Sequence, residues 1–150
     1  MEKSNVIALA GDHGGYELKC QIAKHLDERN IKYIDFGTDS DASCDYPDFA
    51  EKACRAVVSG ECRCAILLCG TGIGISMAAN KVKGIRAACC SDTFSARFTR
   101  LHNDANALCM GGRVVGAGLA IDIVDLFLDT EFEGGRHQLR VDKIMKLENE

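Results

Sequence analysis

No run of apolar residues in this 150-residue sequence approaches the ~20 that a membrane-spanning helix requires. The first apolar stretch, Val6 to Ala10, is too short for the core of a secretory signal. It ends at Gly11-Asp12 instead of a small-residue cleavage site. There is no basic tail, and the formal net charge is −4, which argues against a general binder of nucleic acid or of an anionic membrane surface. An anionic ligand fits such a chain only where arginines gather locally. The nine cysteines include no C-x-x-C pair and have no paired-histidine motif beside them, so the spacing of a zinc site is missing. No G-K-[ST] triplet is present, which excludes a P-loop. These absences predict a cytoplasmic chain in a reducing compartment, with no metal and with most cysteines serving as small buried hydrophobes.

What is present is a regular alternation of strand-like and helix-like patterns. Apolar runs at Val6–Ala10, Lys32–Phe36, Ala65–Cys69, Ile85–Cys90 and Ala105–Met110 are each closed by glycine or a polar turn, as buried strands are. Helical periodicity falls between them. Leu18, Ile22 and Leu26 form one stripe within Tyr16–Glu28, and Pro47 suits the first turn of the next helix. Ile73–Lys81, a segment begun at a capping Asp92, Gly118–Leu128 and a last helix from Arg136 to Leu147 complete the set. Five strands separated by helices predict one α/β domain over residues 1–150, a three-layer sandwich around a parallel sheet. The expected strand order is the flavodoxin-like 2-1-3-4-5, with a C-terminal helix added. Strands one and three are then neighbours at the switch point, where ligands sit beyond the carboxyl ends.

Two loops meet at that point, Gly11-Asp12-His13-Gly14-Gly15 and Cys69-Gly70-Thr71-Gly72-Ile73-Gly74. Glycines after Cys69 let peptide N–H groups turn toward an anion, and the helix start behind them favours a thiolate. The plain alternative is a tight turn above an inert cysteine. A dinucleotide reading finds Asp92 about twenty residues past Gly72, but the spacing is G-x-G-x-G and follows the third strand. Asp12-His13 is either a turn with a surface histidine or a pair facing Cys69. His25 reads as a solvated helix residue, and His102-Asn103-Asp104 as a polar helix stop or a catalytic group. Arg136 and Arg140 share a helix face, and Arg113 follows strand five; together they are candidates for a phosphate, against a solvated basic face.

Taken in order, these segments resemble the type B ribose-5-phosphate isomerase family, in the wider group that includes galactose-6-phosphate isomerase subunits. The resemblance spans the chain. It rests on the two glycine loops, Asp45-Tyr46-Pro47, Ala78-Ala79-Asn80-Lys81, Gly84-Ile85-Arg86-Ala87, His102-Asn103-Asp104, Gly112-Arg113-Val114-Val115-Gly116 and Glu133 to Arg140. It implies an aldose–ketose isomerase acting on ribose 5-phosphate through a cis-enediolate, with no cofactor. Cys69 matches the family's base and His102 its ring-opening acid/base, with Thr71 relaying protons. Asp12, His13, Gly70, Thr71, Gly72, Ile73, Gly74, Asn103, Arg113, Arg136 and Arg140 match ligand-contacting positions. Ile75 stands where some relatives carry a glutamate base, so the thiolate version is implied. The intact His102 and the Gly134-Gly135-Arg136-His137 tail favour ribose 5-phosphate over galactose 6-phosphate; allose 6-phosphate stays open. The family is typically dimeric or tetrameric with composite sites, and a homodimer or dimer of dimers is expected. The competing readings are a nucleotide-binding module and a noncatalytic subunit.

Overall fold

The computed structural model describes residues 4–150; Met1 to Lys3, part of the polar lead-in before Val6, lie outside the described residues. Three strands are buried along their whole length: β1 (Ile7–Gly11), β3 (Cys64–Cys69) and β5 (Ala107–Gly111). Two are three residues long and partly exposed, β2 (Tyr33–Asp35) and β4 (Ala87–Cys89). All pair in parallel, and the five-stranded order is β2-β1-β3-β5-β4. The α/β class and the β1–β3 adjacency are those expected from the sequence. The last two strands are exchanged relative to the expected 2-1-3-4-5.

The exchange has a physical cause. β5 is apolar on both faces, with Leu108 and Met110 in one core and Ala107 and Cys109 in the other. Such a strand needs neighbours on both sides, and short β4 tolerates the edge. The chain therefore reverses direction after β4. A right-handed crossover then moves α4 (Thr93–Asn103) to the face of α1 (Tyr16–Glu28) and α5 (Ala117–Asp129). On the opposite face α2 (Tyr46–Val58) and α3 (Ile73–Ala79) approach a floor of Ala8, Ala10, Ala65, Leu67 and Cys109. The C-terminal α6 (Arg136–Lys146) packs on α4.

Local signals act as their chemistry requires. Pro47 lies in the first turn of α2, and Asp92 caps α4 by accepting from Ser95 N at 2.6 Å. His25 is not a solvated residue: its Nε2 lies 2.8 Å from Asp125 Oδ1, tying α1 to α5. All nine cysteines are unpaired. Burial pushes the Cys54 thiol up to about 12 and those of Cys64 and Cys90 to about 11. No helix among the described residues is long and apolar enough to cross a membrane.

Lys19, only 2% exposed, donates to both oxygens of Asp35 (2.9 and 2.8 Å) and to the Thr38 carbonyl, pinning the loop after β2 against α1. Removing one partner of a buried pair typically costs ~3–5 kcal/mol. Asp35 is 38% exposed and regains water, so Lys19→Ala is expected at the low end, about 3 kcal/mol by urea unfolding. A loss under ~1 kcal/mol would mean that the ammonium contributes no more than a surface pair.

Candidate active site

The carboxyl ends of β1, β3 and β5 are adjacent, so their three loops converge. Glycine permits the approach. A Cβ on Gly14 would stand 2.9 Å from Gly70 N, and one on Gly112 would stand 2.5 Å from the Gly14 carbonyl oxygen. Gly72 adopts φ +83 with Met110 carbonyl carbon 2.7 Å from a would-be Cβ, so only glycine fits that turn. Tyr46, from the Asp45-Tyr46-Pro47 motif, packs its ring over Gly74. That motif therefore shapes the floor of the site through packing.

Cys69 ends β3 beneath this rim with 4% of its surface exposed, and its Sγ accepts the Gly72 N–H at 3.1 Å. Asp12, also buried, accepts from Gly14 N (2.9 Å) and Gly15 N (3.2 Å), so it fixes the first loop. His13 Nδ1 accepts the Cys44 N–H at 3.2 Å. A backbone amide can only donate, so Nε2 carries the proton of this ring and is the nitrogen left to donate. Arg113 donates its backbone N–H to the Gly70 carbonyl at 3.0 Å and lays its guanidinium against Gly70. Exposed Thr71 and Ile73 complete the rim.

The remaining expected residues are elsewhere. α4 begins after β4 and runs back against the strands, so His102 and Asn103 lie near the amino ends of the sheet. There Asn106 O accepts from Ala65 N at the start of β3. Cys69 stands at the carboxyl end of β3, whose six residues rise about 17 Å, so His102 and Cys69 lie toward opposite ends of the sheet within one chain. Arg86 fixes the segment through Asn103 O (3.1 Å) and Asp104 O (2.7 Å), while Arg100 holds Asp104 Oδ1 at 2.8 Å. Arg136 and Arg140 are exposed on α6 beside it. Arg86 had a sequence signal, in the Gly84-Ile85-Arg86-Ala87 motif, but its grip on carbonyls 17 and 18 residues away had none.

Two cavities, about 530 and 450 Å³, flank Arg86, at the amino ends of the strands and beside β4; neither reaches Cys69. Asp92 directs both carboxylate oxygens at Ser95, which occupies the group a ribose contact would need. Among the described residues the one close set of ligating side chains, His102, Glu133 and His137, contains no cysteine.

Residues 7–144 match the family model described as Ribose/Galactose Isomerase. The chain belongs to that family. Ribose-5-phosphate isomerase B of Escherichia coli is 51% identical over 142 residues, 95% of each chain. A putative sugar phosphate isomerase of Bacillus subtilis, YwlF, is 54% identical over 95% of this chain and 96% of its own. Among solved structures, ribose-5-phosphate isomerase B of Clostridium thermocellum superposes with a TM-score of 0.95 at 56% identity, covering 96% of this chain and 97% of the other. The Mycoplasma genitalium enzyme, solved with bound ribulose-5-phosphate, gives 0.93 at 44% identity with 99% of both chains covered. Like other members of the ribose/galactose isomerase family, the chain is a sugar-phosphate isomerase.

Proposed function

We propose that this chain interconverts ribose 5-phosphate and ribulose 5-phosphate, with Cys69 as the carbon base and His102 as the ring-opening group. One observation carries the assignment: the Cys69 sulfur accepts a loop N–H at the β1–β3 switch point, with the Arg113 guanidinium against the adjoining Gly70. His102 moves a proton between the ring oxygen and O1, opening the furanose to the aldehyde. The Cys69 thiolate takes the C2 proton, and that electron pair passes through the C1–C2 bond to the carbonyl oxygen, giving a cis-enediolate. Peptide N–H groups of the Gly70–Gly74 loop other than those bonded to Cys69 Sγ and Thr71 Oγ1 stabilise the oxygen, a contribution of typically ~3 kcal/mol per donor. Thr71 relays the hydroxyl proton from O2 to O1, and return of the carbon-bound proton to C1 leaves the ketone at C2. No metal or organic cofactor is called for, since the carbonyl is the electron sink.

His102, Asn103, Arg136 and Arg140 belong to the same site only if a second copy of the chain brings them. The placement of Cys69 and His102 toward opposite ends of the sheet, along a strand that rises ~17 Å, supports a homodimer in which each cleft combines Cys69 of one protomer with His102 of the other. Mixing inactive Cys69→Ala and Arg140→Ala chains should then restore activity, up to about a quarter of the wild-type rate if chains pair at random. Absence of rescue with subunit exchange demonstrated by a mass-tagged chain would reject the composite site. The nine unpaired thiols favour the reducing cytoplasm as the setting.

The direct test compares initial rates on ribose 5-phosphate and allose 6-phosphate. The five-carbon sugar is expected to have a kcat/KM at least ~10-fold higher, within the range one extra carbon unit commands in a fitted pocket. A preference for the six-carbon sugar would overturn the substrate assignment.

A further inference from the structure

His102 packs against two rings. Phe98 meets its ring edge-on at 5.0 Å and 73°, and His137 stacks on it at 4.0 Å with the planes 10° apart. Glu133 Oε2 stands 3.8 Å from His102 Nε2. His137 itself is buried, 5% exposed, and its Nε2 has no hydrogen-bond partner. A buried ring nitrogen without a partner is costly, so the position of this ring is maintained by something other than its own polar contacts.

Chelation is the first candidate, because His102, Glu133 and His137 each offer a ligand atom within 4.8 Å of the others. The ring planes exclude it in this arrangement. A metal lies in the plane of every imidazole that binds it. Two rings only 10° from parallel and 4.0 Å apart direct their lone pairs side by side, not at one point. What the geometry builds is a stack.

We propose that His137 is a positioning residue for His102, its ring face fixing the orientation from which His102 transfers the ring-opening proton. The proposal rests on the role given to His102 above. His102 is on the last turn of α4 with 36% of its side chain exposed, and a lone imidazole there would sample several rotamers. The His137 stack and the Phe98 contact restrict that freedom. The Nε2 of His137 is buried and does not reach substrate, while the ring face lies on His102, the group through which the residue acts.

The groups facing His137 are His102 from α4, Glu133 from the preceding loop, and Arg136 and Arg140 from its own helix. Burial, then His102 and Arg136, lower its pKa below the usual histidine range, against the opposing pull of Glu133. A neutral ring can stay stacked while its neighbour gains and loses a proton; two stacked imidazolium ions would repel.

The two directions of the reaction separate this role from simple support of the fold. Ribose 5-phosphate arrives as a furanose and must be opened. Ribulose 5-phosphate, with its C5 oxygen esterified, has no furanose form and arrives open. His137→Leu fills the space without a ring face and should lower turnover of ribose 5-phosphate about 5- to 10-fold, the scale of one aromatic pair. Its initial rate of ribulose 5-phosphate consumption should stay within about twofold of wild type. His137→Phe restores a ring face but no nitrogen, and should recover most of the loss; His137→Met replaces the leucine variant if that chain fails to fold. In a His102→Asn background the leucine substitution should add nothing. Equal losses in both directions, a phenylalanine variant no better than leucine, or a further loss on top of His102→Asn would overturn the proposal. Normal His137→Leu turnover beside a crippled His102→Asn overturns the stack alone. Normal turnover in His102→Asn overturns the His102 assignment and the stack with it.

Discussion

Cys69→Ala lowers kcat for ribose 5-phosphate by ~10³-fold or more and leaves substrate binding within about threefold. General base catalysis is worth ~10²–10⁴-fold, and here the base is also the group that must return the proton to carbon. His13 and Arg113 remain in place, because their positions are set by backbone bonds and glycine contacts independent of the sulfur, and the loop loses only the Gly72 N–H contact to Sγ. Titration calorimetry with ribose 5-phosphate can then be run on a chain that no longer consumes it. The alanine occupies less space at the end of β3, and a modest fall in stability follows from the small void. Cys69→Ser keeps the volume and the Gly72 N–H contact but offers a hydroxyl, far too weak an acid to supply a base near neutrality. It should be as inactive as alanine. Turnover within tenfold of wild type in either variant would remove Cys69 from the chemistry.

The second large effect is directional. His102→Asn should reduce turnover of ribose 5-phosphate by ~10²-fold or more, within the range of an acid/base group. The initial rate of ribulose 5-phosphate consumption should change less than about threefold, because the open-chain ketose needs no ring opening and the released aldehyde closes in water. Forward turnover in this variant should also stop rising with enzyme concentration, once spontaneous opening becomes limiting. Stopped-flow measurement in both directions decides it. Equal losses forward and backward would assign His102 to the enolisation step instead, and no loss would exclude it from the mechanism.

The resemblance named all of these residues, yet several of their roles depend on packing that no local pattern reports. Asp12, expected as a ligand contact, uses one oxygen to hold Gly14 and Gly15. Arg86, Arg100 and Asn106 carry no obvious catalytic pattern, yet they fix the segment that bears His102. In the sequence His137 stands between Arg136 and Arg140 with no signal of its own, and its burial against His102 appears once α6 is packed on α4. Lys19 gave no signal of burial, because a lysine on an amphipathic helix is ordinarily solvated.

The sequence by itself determined the alternation of strands and helices, the glycine turn after Cys69, the first-turn Pro47 of α2 and the Asp92 cap of α4. Each of these depends on residues within a few positions of one another, through apolar period, backbone freedom or a hydrogen bond across one helical turn. Tertiary structure alone decided that β5 lies inside β4, because that choice balances burial of two apolar strand faces against strands far away in the chain. From the same choice came the placement of α4, and with it the separation of Cys69 and His102 toward opposite ends of the sheet.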